Sequence, residues 1–154
     1  MEQFPEFVPE RPPKQYAWPG ERAYRQVEGS ITAWLSLVMS PKGYNEFTVE
    51  CGWSRLGRYP QLTARPNLTE FSETELIAND EAFLRLRPES AVDKDWWSVA
   101  GGGASYESAV RMCASLTPEE SLSLAEPLVA DALSCIATVG RPLIRRILKY
   151  RSSG

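Results

Sequence analysis

The sequence contains no histidine. Histidine is the side chain used most often for proton transfer near neutral pH, and it is also the commonest protein ligand of metal ions. Its absence excludes hydrolase triads that depend on a histidine base. We therefore predict no catalytic residue, no metal ion and no cofactor.

Cysteine is scarce, since only Cys51, Cys113 and Cys135 occur and they lie far apart in the chain. A zinc site built from cysteine alone needs four thiolates, so these three cannot complete one. An odd number of cysteines also does not fit a framework of disulfide bonds. Reduced thiols are typical of cytoplasmic proteins, and we expect a cytoplasmic location.

Positive charge is not in excess, because the net charge is -3 and the pI is about 5.1. Nucleic-acid-binding domains usually carry a basic face, so no nucleic acid is expected as a partner. Residues 1–20 have neither the basic start nor the apolar run of a signal peptide. No later stretch approaches the roughly 20 apolar residues of a membrane-spanning helix, so no membrane partner is expected.

A length of 154 residues is the usual size of one domain. Residues 1–20 contain five prolines, which fix φ and remove backbone donors, and they are predicted to form an extended arm. The aromatic residues of the arm indicate that it packs along the domain. Residues 21–151 are predicted to form a single domain, with strands and a loop over 21–100 and helices over 104–151.

Alternation of apolar and polar residues predicts the strands of this domain. The predicted strands are 24–27, 31–39, with its odd-numbered residues buried, 47–54 and 83–87. The last is predicted to be an edge strand with Arg85 and Arg87 on its solvent face. Residues 60–81 lose this periodicity, which indicates a long irregular connection or one short helix.

Apolar residues at three-to-four spacing predict helices after the glycine run at 101–103. The sequence Thr-Pro-Glu-Glu at 117–120 is a specific signal for a helix start, because it combines a capping box with proline at the first helical position. Pro127 is expected to kink this helix or to begin a new one, and Gly140-Arg141-Pro142 is expected to break it. Together these patterns predict an α+β fold, in which an antiparallel sheet of about four to five strands packs against C-terminal helices.

The adjacent residues Trp96 and Trp97 have two possible roles. Tryptophan usually packs in a core, so we expect Trp53 and one member of the pair to be buried and the other member to be an exposed anchor. With Arg85 and Arg87, the pair forms a candidate contact site for a ligand or partner at the sheet edge.

Cations cluster in the last predicted helix, at Arg141, Arg145, Arg146, Lys149 and Arg151. One interpretation is a basic patch that contacts phosphate, an acidic protein or an anionic membrane surface. The other is a solvated helix end whose cations complement the helix dipole.

A pair of carboxylates can act as general acid and base without histidine. Seven acids in and after the long loop are candidates: Glu70, Glu73, Glu75, Asp80, Glu81, Asp93 and Asp95. The alternative interpretation is a solvated acidic surface, because burial is needed to shift the pKa of a carboxylate.

Three segments carry a resemblance to other proteins: the strand at 47–54, the sequence Asp-Trp-Trp at 95–97 and the amphipathic run from 129 to 144. With them, residues 24–148 resemble a group of bacterial domains of unknown function that have strands, a paired-tryptophan segment and a helical tail. The resemblance implies an α+β fold and implies no activity. The proline-rich arm and the glycine run depart from that pattern.

With no evident catalytic group, we first expect a non-enzymatic cytoplasmic module that binds another protein, as an immunity-like or regulatory protein would, through the sheet face or the long loop. The alternative is a domain that binds a small ligand such as a sugar, a nucleotide or an acid. A third hypothesis is a carboxylate-dependent enzyme. The sequence leaves the oligomeric state open.

Overall fold

The computed structural model describes residues 3–41, 45–86, 95–101 and 105–150. The strands in these ranges are β1 (Val8–Glu10), β2 (Arg22–Glu28), β3 (Ile31–Met39), β4 (Glu46–Ser54), β5 (Glu81–Arg85) and β6 (Trp97–Ser98). The helices are α1 (Glu73–Ala78), α2 (Tyr106–Ala114), α3 (Pro118–Cys135) and α4 (Arg141–Lys149), with a 3₁₀ turn at Leu68–Glu70 and a π-helical turn at Ile136–Gly140. The predicted α+β class, with an antiparallel sheet and C-terminal helices, is confirmed.

The six strands pair antiparallel in the order β1-β2-β3-β4-β5, and β6 pairs with the other end of β4. The predicted bounds 31–39 match β3, whereas β2 is longer than predicted and β5 starts and ends earlier. The strands β1 and β6 were not predicted as separate strands. They have three and two residues, too few for a visible alternation of apolar and polar side chains.

Both faces of the sheet carry buried side chains. Successive residues of a strand point to opposite faces, so Ala33 and Leu35 of β3 pack toward the helices, whereas Trp34 and Ser36 point to the other side. We call these sides the helix face and the outer face. The predicted burial of every odd-numbered residue is wrong for Met39, which is 48% exposed. All four residues named above are almost fully buried, so burial in β3 includes even-numbered residues. The reason is that the outer face is covered by the segment 59–65.

The N-terminal arm is part of the packed structure in its described portion. Phe4 and Phe7 belong to the main hydrophobic core, which lies between the helix face and the helices. The strand β1 pairs with β2 at the edge of the sheet, where a proline is tolerated because one side of the strand has no partner.

The C-terminal helices follow one another without the predicted break at 140–142. Gly140 has helical dihedral angles, φ -64° and ψ -53°, and the π-helical turn joins α3 to α4 there. A Cβ atom on Gly140 would lie 2.9 Å from Cδ1 of Leu86, so glycine permits close packing rather than a turn. Pro127 lies inside α3, which continues through it.

Taken together, Pro118–Lys149 form one helix of 32 residues that is long and apolar enough to cross a membrane by length and composition alone. In its most apolar stretch of 18 residues, 17% of the residues are buried. No such segment was predicted, because Glu126, Pro127 and Asp131 interrupt the apolar run. The far end of the helix is different, since Leu143, Ile144, Ile147 and Leu148 of α4 are buried in the core.

Candidate functional site

A buried network of charged side chains lies on the outer face. Its centre is Arg65, whose side chain is fully buried and forms ion pairs with Glu50 and Glu21. The Nη2 atom of Arg65 lies 3.0 Å from Glu21 Oε2 and also donates to the carbonyl oxygen of Tyr16 at 2.8 Å. The guanidinium lies 4.1 Å from the ring centre of Phe83. Arg65 is thus held by two carboxylates and an aromatic face.

Hydroxyl groups complete the surroundings of Glu21. Tyr59 donates its hydroxyl to Glu21 Oε1 at 2.8 Å, and Ser36 donates to the same oxygen at 2.5 Å. Tyr59 in turn accepts a hydrogen bond from Arg65 at 3.0 Å. Each of these groups forms a hydrogen bond with another member of the network. The network therefore stabilises the fold.

Arg85 connects the network to the predicted tryptophan site. Its Nε atom lies 3.6 Å from Glu50 Oε1, and its Nη1 atom lies 3.4 Å from Asp95 Oδ2. The guanidinium is 5.3 Å from the ring centre of Trp96 and 5.7 Å from that of Trp18. The predicted solvent face for Arg85 is therefore wrong. Its side chain is 19% exposed, because the arm and residues 95–96 cover this edge of the sheet.

Burial shifts the acid–base properties of the network. Desolvation raises the pKa of Glu50 above its ordinary value, although the neighbouring Arg65 and Arg85 oppose this shift. Desolvation also raises the pKa of Tyr59, so its hydroxyl stays protonated and remains a donor to Glu21. The pKa of Arg65 is raised as well: burial works against its charge, but Glu50 and Glu21 outweigh that effect.

Trp96, the residue before β6, lies beside Arg85, whereas Trp97 lies on the helix face and belongs to the main core. Trp97 is 1% exposed, stacks on Phe47 with 5.6 Å between ring centres, and donates Nε1–H to Asp131 Oδ2 at 2.8 Å. Trp53 is fully buried and Trp96 is half-buried. The expectation that Trp53 and one member of the pair belong to the core agrees with this placement. Trp96, the member expected to be exposed, is instead half-buried beside Arg85. Arg87 lies outside the described residues.

Some cations of the predicted basic patch form ion pairs. Arg141 lies 2.6 Å from a carboxylate oxygen of Glu6, and Arg146 lies 2.7 Å from one of Glu73. Arg145 and Lys149 are exposed, and Arg151 lies outside the described residues. Two of the four described cations therefore attach the helix to other elements rather than forming a free surface.

The described acids of the predicted carboxylate cluster serve separate roles. Glu70 and Glu75 complete capping boxes, in which the side chain accepts from the backbone of the capping residue. Glu81 binds Arg58 and Ser54, and although partial burial opposes it, these hydrogen bonds lower the pKa of Glu81. Asp95 accepts a hydrogen bond from Asn67. Asp93 lies outside the described residues.

A groove lies on the helix face. It lies between β2, β3 and β4 on one side and α2, α3 and the π-helical turn on the other, with a volume of about 540 Å³. Its lining residues are Tyr24, Leu35, Ser36, Leu37, Met39, Asn45, Phe47, Val49, Val99, Cys113, Leu116, Ser121, Ala125, Val129, Ala132, Leu133 and Ile136. All but Ser36, Asn45 and Ser121 are apolar, and none carries a charge.

Large apolar side chains stand in solvent around the groove. Met39 and Val129, which line it, are 48% and 46% exposed, and Leu122 on α3 is 62% exposed. Leu124 is 37% exposed on the opposite side of α3, about 200° around the helix from Leu122. The first half of α3 thus leaves apolar surface uncovered, whereas α4 buries its apolar side chains. An exposed apolar patch that continues from a groove is typical of a binding surface.

The groove was not predicted from the sequence. The one signal for it is the apolar character of α3 on several sides of the helix, with Leu122 and Leu124 outside the stripe that runs from Leu128 to Ala137. The network was also missed, because Glu21 and Arg65 stand in segments without periodicity.

Comparisons with known protein families, curated proteins and solved structures found no match for this chain. The resemblance to bacterial domains of unknown function therefore stays an expectation.

Proposed function

We propose that this chain is a non-catalytic binding module that takes up an apolar segment of another protein in the sheet–helix groove. The observation that carries the proposal is the continuity of the groove with exposed apolar side chains on α3. Groove volumes near 540 Å³ suit small ligands as well as protein side chains. A small molecule in the groove would leave Leu122 in water, whereas a protein segment would cover this side chain as well.

The character of the outer face supports a binding role over catalysis. Its carboxylates are bound to arginine, serine and tyrosine side chains, and those of Glu21 and Glu50 are fully buried. An acid–base catalyst needs to reach a substrate, and these groups are already engaged with one another. The three cysteines are free thiols, which supports a cytoplasmic location as part of this proposal. A regulatory or immunity-like role fits such a module.

The test uses a variant that fills the groove. Ala125 is half-buried in the groove lining, so Ala125→Trp places an indole there with little disturbance of the core. Ala130→Trp is the matched control, because Ala130 is exposed on the same helix and does not line the groove. A pull-down from a lysate of the source cells should recover a protein with the wild type and with Ala130→Trp, and should lose it with Ala125→Trp.

Two outcomes would contradict this proposal. One is recovery of the same proteins with Ala125→Trp as with the wild type. The other is an absence of any specific protein together with a rise in melting temperature on addition of an apolar small molecule, provided that Ala125→Trp abolishes the rise. That second outcome would establish the alternative function, a small-ligand-binding domain, which the groove volume favours.

A further inference from the structure

The charges around the groove indicate which charge its binding partner carries. Residues 105–135, which contain α2 and α3, carry five carboxylates, at Glu107, Glu119, Glu120, Glu126 and Asp131, and one guanidinium, at Arg111. Arg111 lies 3.6 Å from Glu107 on the same helix, so it is already paired. The helical side of an uncharged apolar groove is therefore strongly acidic.

Two of these acids lie beside the groove face of α3. At 3.6 residues per turn, Ser121, Ala125 and Val129 share one side of the helix, and Leu122 comes next around it. Glu126 and Glu119 follow Leu122 on that flank. Neither glutamate forms an ion pair within the described part of the chain. The order from groove to solvent is thus apolar lining, exposed leucine and then carboxylate.

The groove is also long enough to hold a short α-helix. Its lining on α3 and the π-helical turn extends from Ser121 to Ile136, about 22 Å at 1.5 Å per residue. That is the length of about four helical turns. An amphipathic helix binds such a groove through apolar residues spaced at i, i+3, i+4 and i+7. The strand side differs in charge, since exposed Arg22 on β2 lies opposite Leu37 of the groove.

We propose that the occupant of the groove is a basic amphipathic α-helix of the partner protein, oriented with its cations toward Glu119 and Glu126. This inference rests on the proposed function and names the chemistry of its partner. Cations along a rim mainly increase the rate of association and the discrimination between partners, while the apolar side chains supply the affinity.

Two other occupants fit the charges less well. An anionic membrane surface would be repelled by the carboxylates of α3. A second copy of this chain would need to offer a free basic helix. In the described residues the cationic helix is α4, whose apolar side chains are buried and whose Arg141 and Arg146 are ion-paired.

The test uses three labelled 18-residue peptides. The first contains leucine at helical spacing with lysine elsewhere, the second has glutamate in place of every lysine, and the third has the composition of the first in scrambled order. Fluorescence anisotropy should show binding of the lysine peptide, with at least about tenfold weaker binding of the other two. The affinity of the lysine peptide should fall as salt concentration rises.

Substitutions in the protein test where the lysine peptide binds. Ala125→Trp should abolish binding of the lysine peptide. Glu119→Lys combined with Glu126→Lys should weaken it by about tenfold, flatten its salt dependence and strengthen binding of the glutamate peptide. Glu28→Lys is the control for a change of charge alone, because Glu28 is exposed at the far end of β2, and it should leave the affinity within about twofold.

The outcomes separate this inference from the proposed function. Equal affinity for the lysine and glutamate peptides would overturn the inference, while loss of the natural partner with Ala125→Trp would still support the proposed function. Lysine-peptide binding that is unchanged by Ala125→Trp would overturn both. Binding to vesicles of phosphatidylcholine and phosphatidylglycerol in preference to the peptide, or a stable dimer in light scattering that excludes the peptide, would also overturn the inference.

Discussion

Removal of the cation at the centre of the outer-face network should destabilise the protein strongly. The substitution Arg65→Met keeps a long side chain beside Phe83 but leaves the carboxylates of Glu21 and Glu50 without their shared guanidinium. All three side chains are fully buried. Breaking a buried ion pair in this way costs about 3–5 kcal/mol, a large part of the usual stability of a domain. Arg25→Met is the control, since Arg25 and Glu10 are 38% and 37% exposed, and it should cost at most about 1 kcal/mol.

The loss caused by Arg65→Met should also depend on pH. Because burial raises the pKa of Glu50, the folded state binds more protons than the unfolded state above the ordinary pKa of 4.5. Stability from this group is therefore fully present below that pH and is lost as the pH rises through the folded-state pKa. Without Arg65 the pKa of Glu50 should rise further, so the variant should lose more stability than the wild type as the pH rises above 4.5.

Urea unfolding followed by tryptophan fluorescence measures both effects, since the chain has five tryptophans. A loss below about 1 kcal/mol, both near pH 4.5 and at neutral pH, would refute the idea that Arg65 compensates buried charge. A loss that does not change with pH would refute the role assigned to Glu50. If Arg65→Met does not fold, the double variant with Glu50→Gln should be more stable than the single variant, because it removes one uncompensated carboxylate.

Three further predictions follow from the packing. A Cβ atom on Gly52 would lie 2.7 Å from the carbonyl oxygen of Ala82, so Gly52→Ala should cost about 1–3 kcal/mol in urea unfolding, and an unchanged midpoint would contradict the close approach of β4 and β5. Thr117→Ala should cost about 1 kcal/mol in thermal unfolding, because Thr117 caps α3, whereas Thr117→Ser should retain most of the stability. Burial raises the pKa of Cys51 to about 12, while Cys113 is half-buried in the groove lining, so a thiol reagent should modify Cys113 first in the native protein. Equal rates for the three cysteines would contradict the described burial.

Local patterns in the sequence determined much of the architecture. The bounds of β3 and the start of α3 were predicted correctly, because alternation over nine residues and a capping box are signals contained in adjacent positions. The exclusion of triads that use a histidine base likewise depends on composition alone. The burial of Trp53 followed from its place on the apolar side of a strand. In each case the physical cause acts between residues that are close in the chain.

Only the tertiary structure decided the network and the groove. Arg65 meets Glu21, 44 positions earlier, and the sheet brings them together although neither stands in a periodic segment. The continuous helix at Gly140 depends on the space beside Leu86, which no local pattern reveals. The groove exists because α3 leaves the sheet uncovered along its first half while α4 packs closely. Such features arise from the way separate elements meet, and the free energy of those contacts is not encoded by neighbours in the sequence.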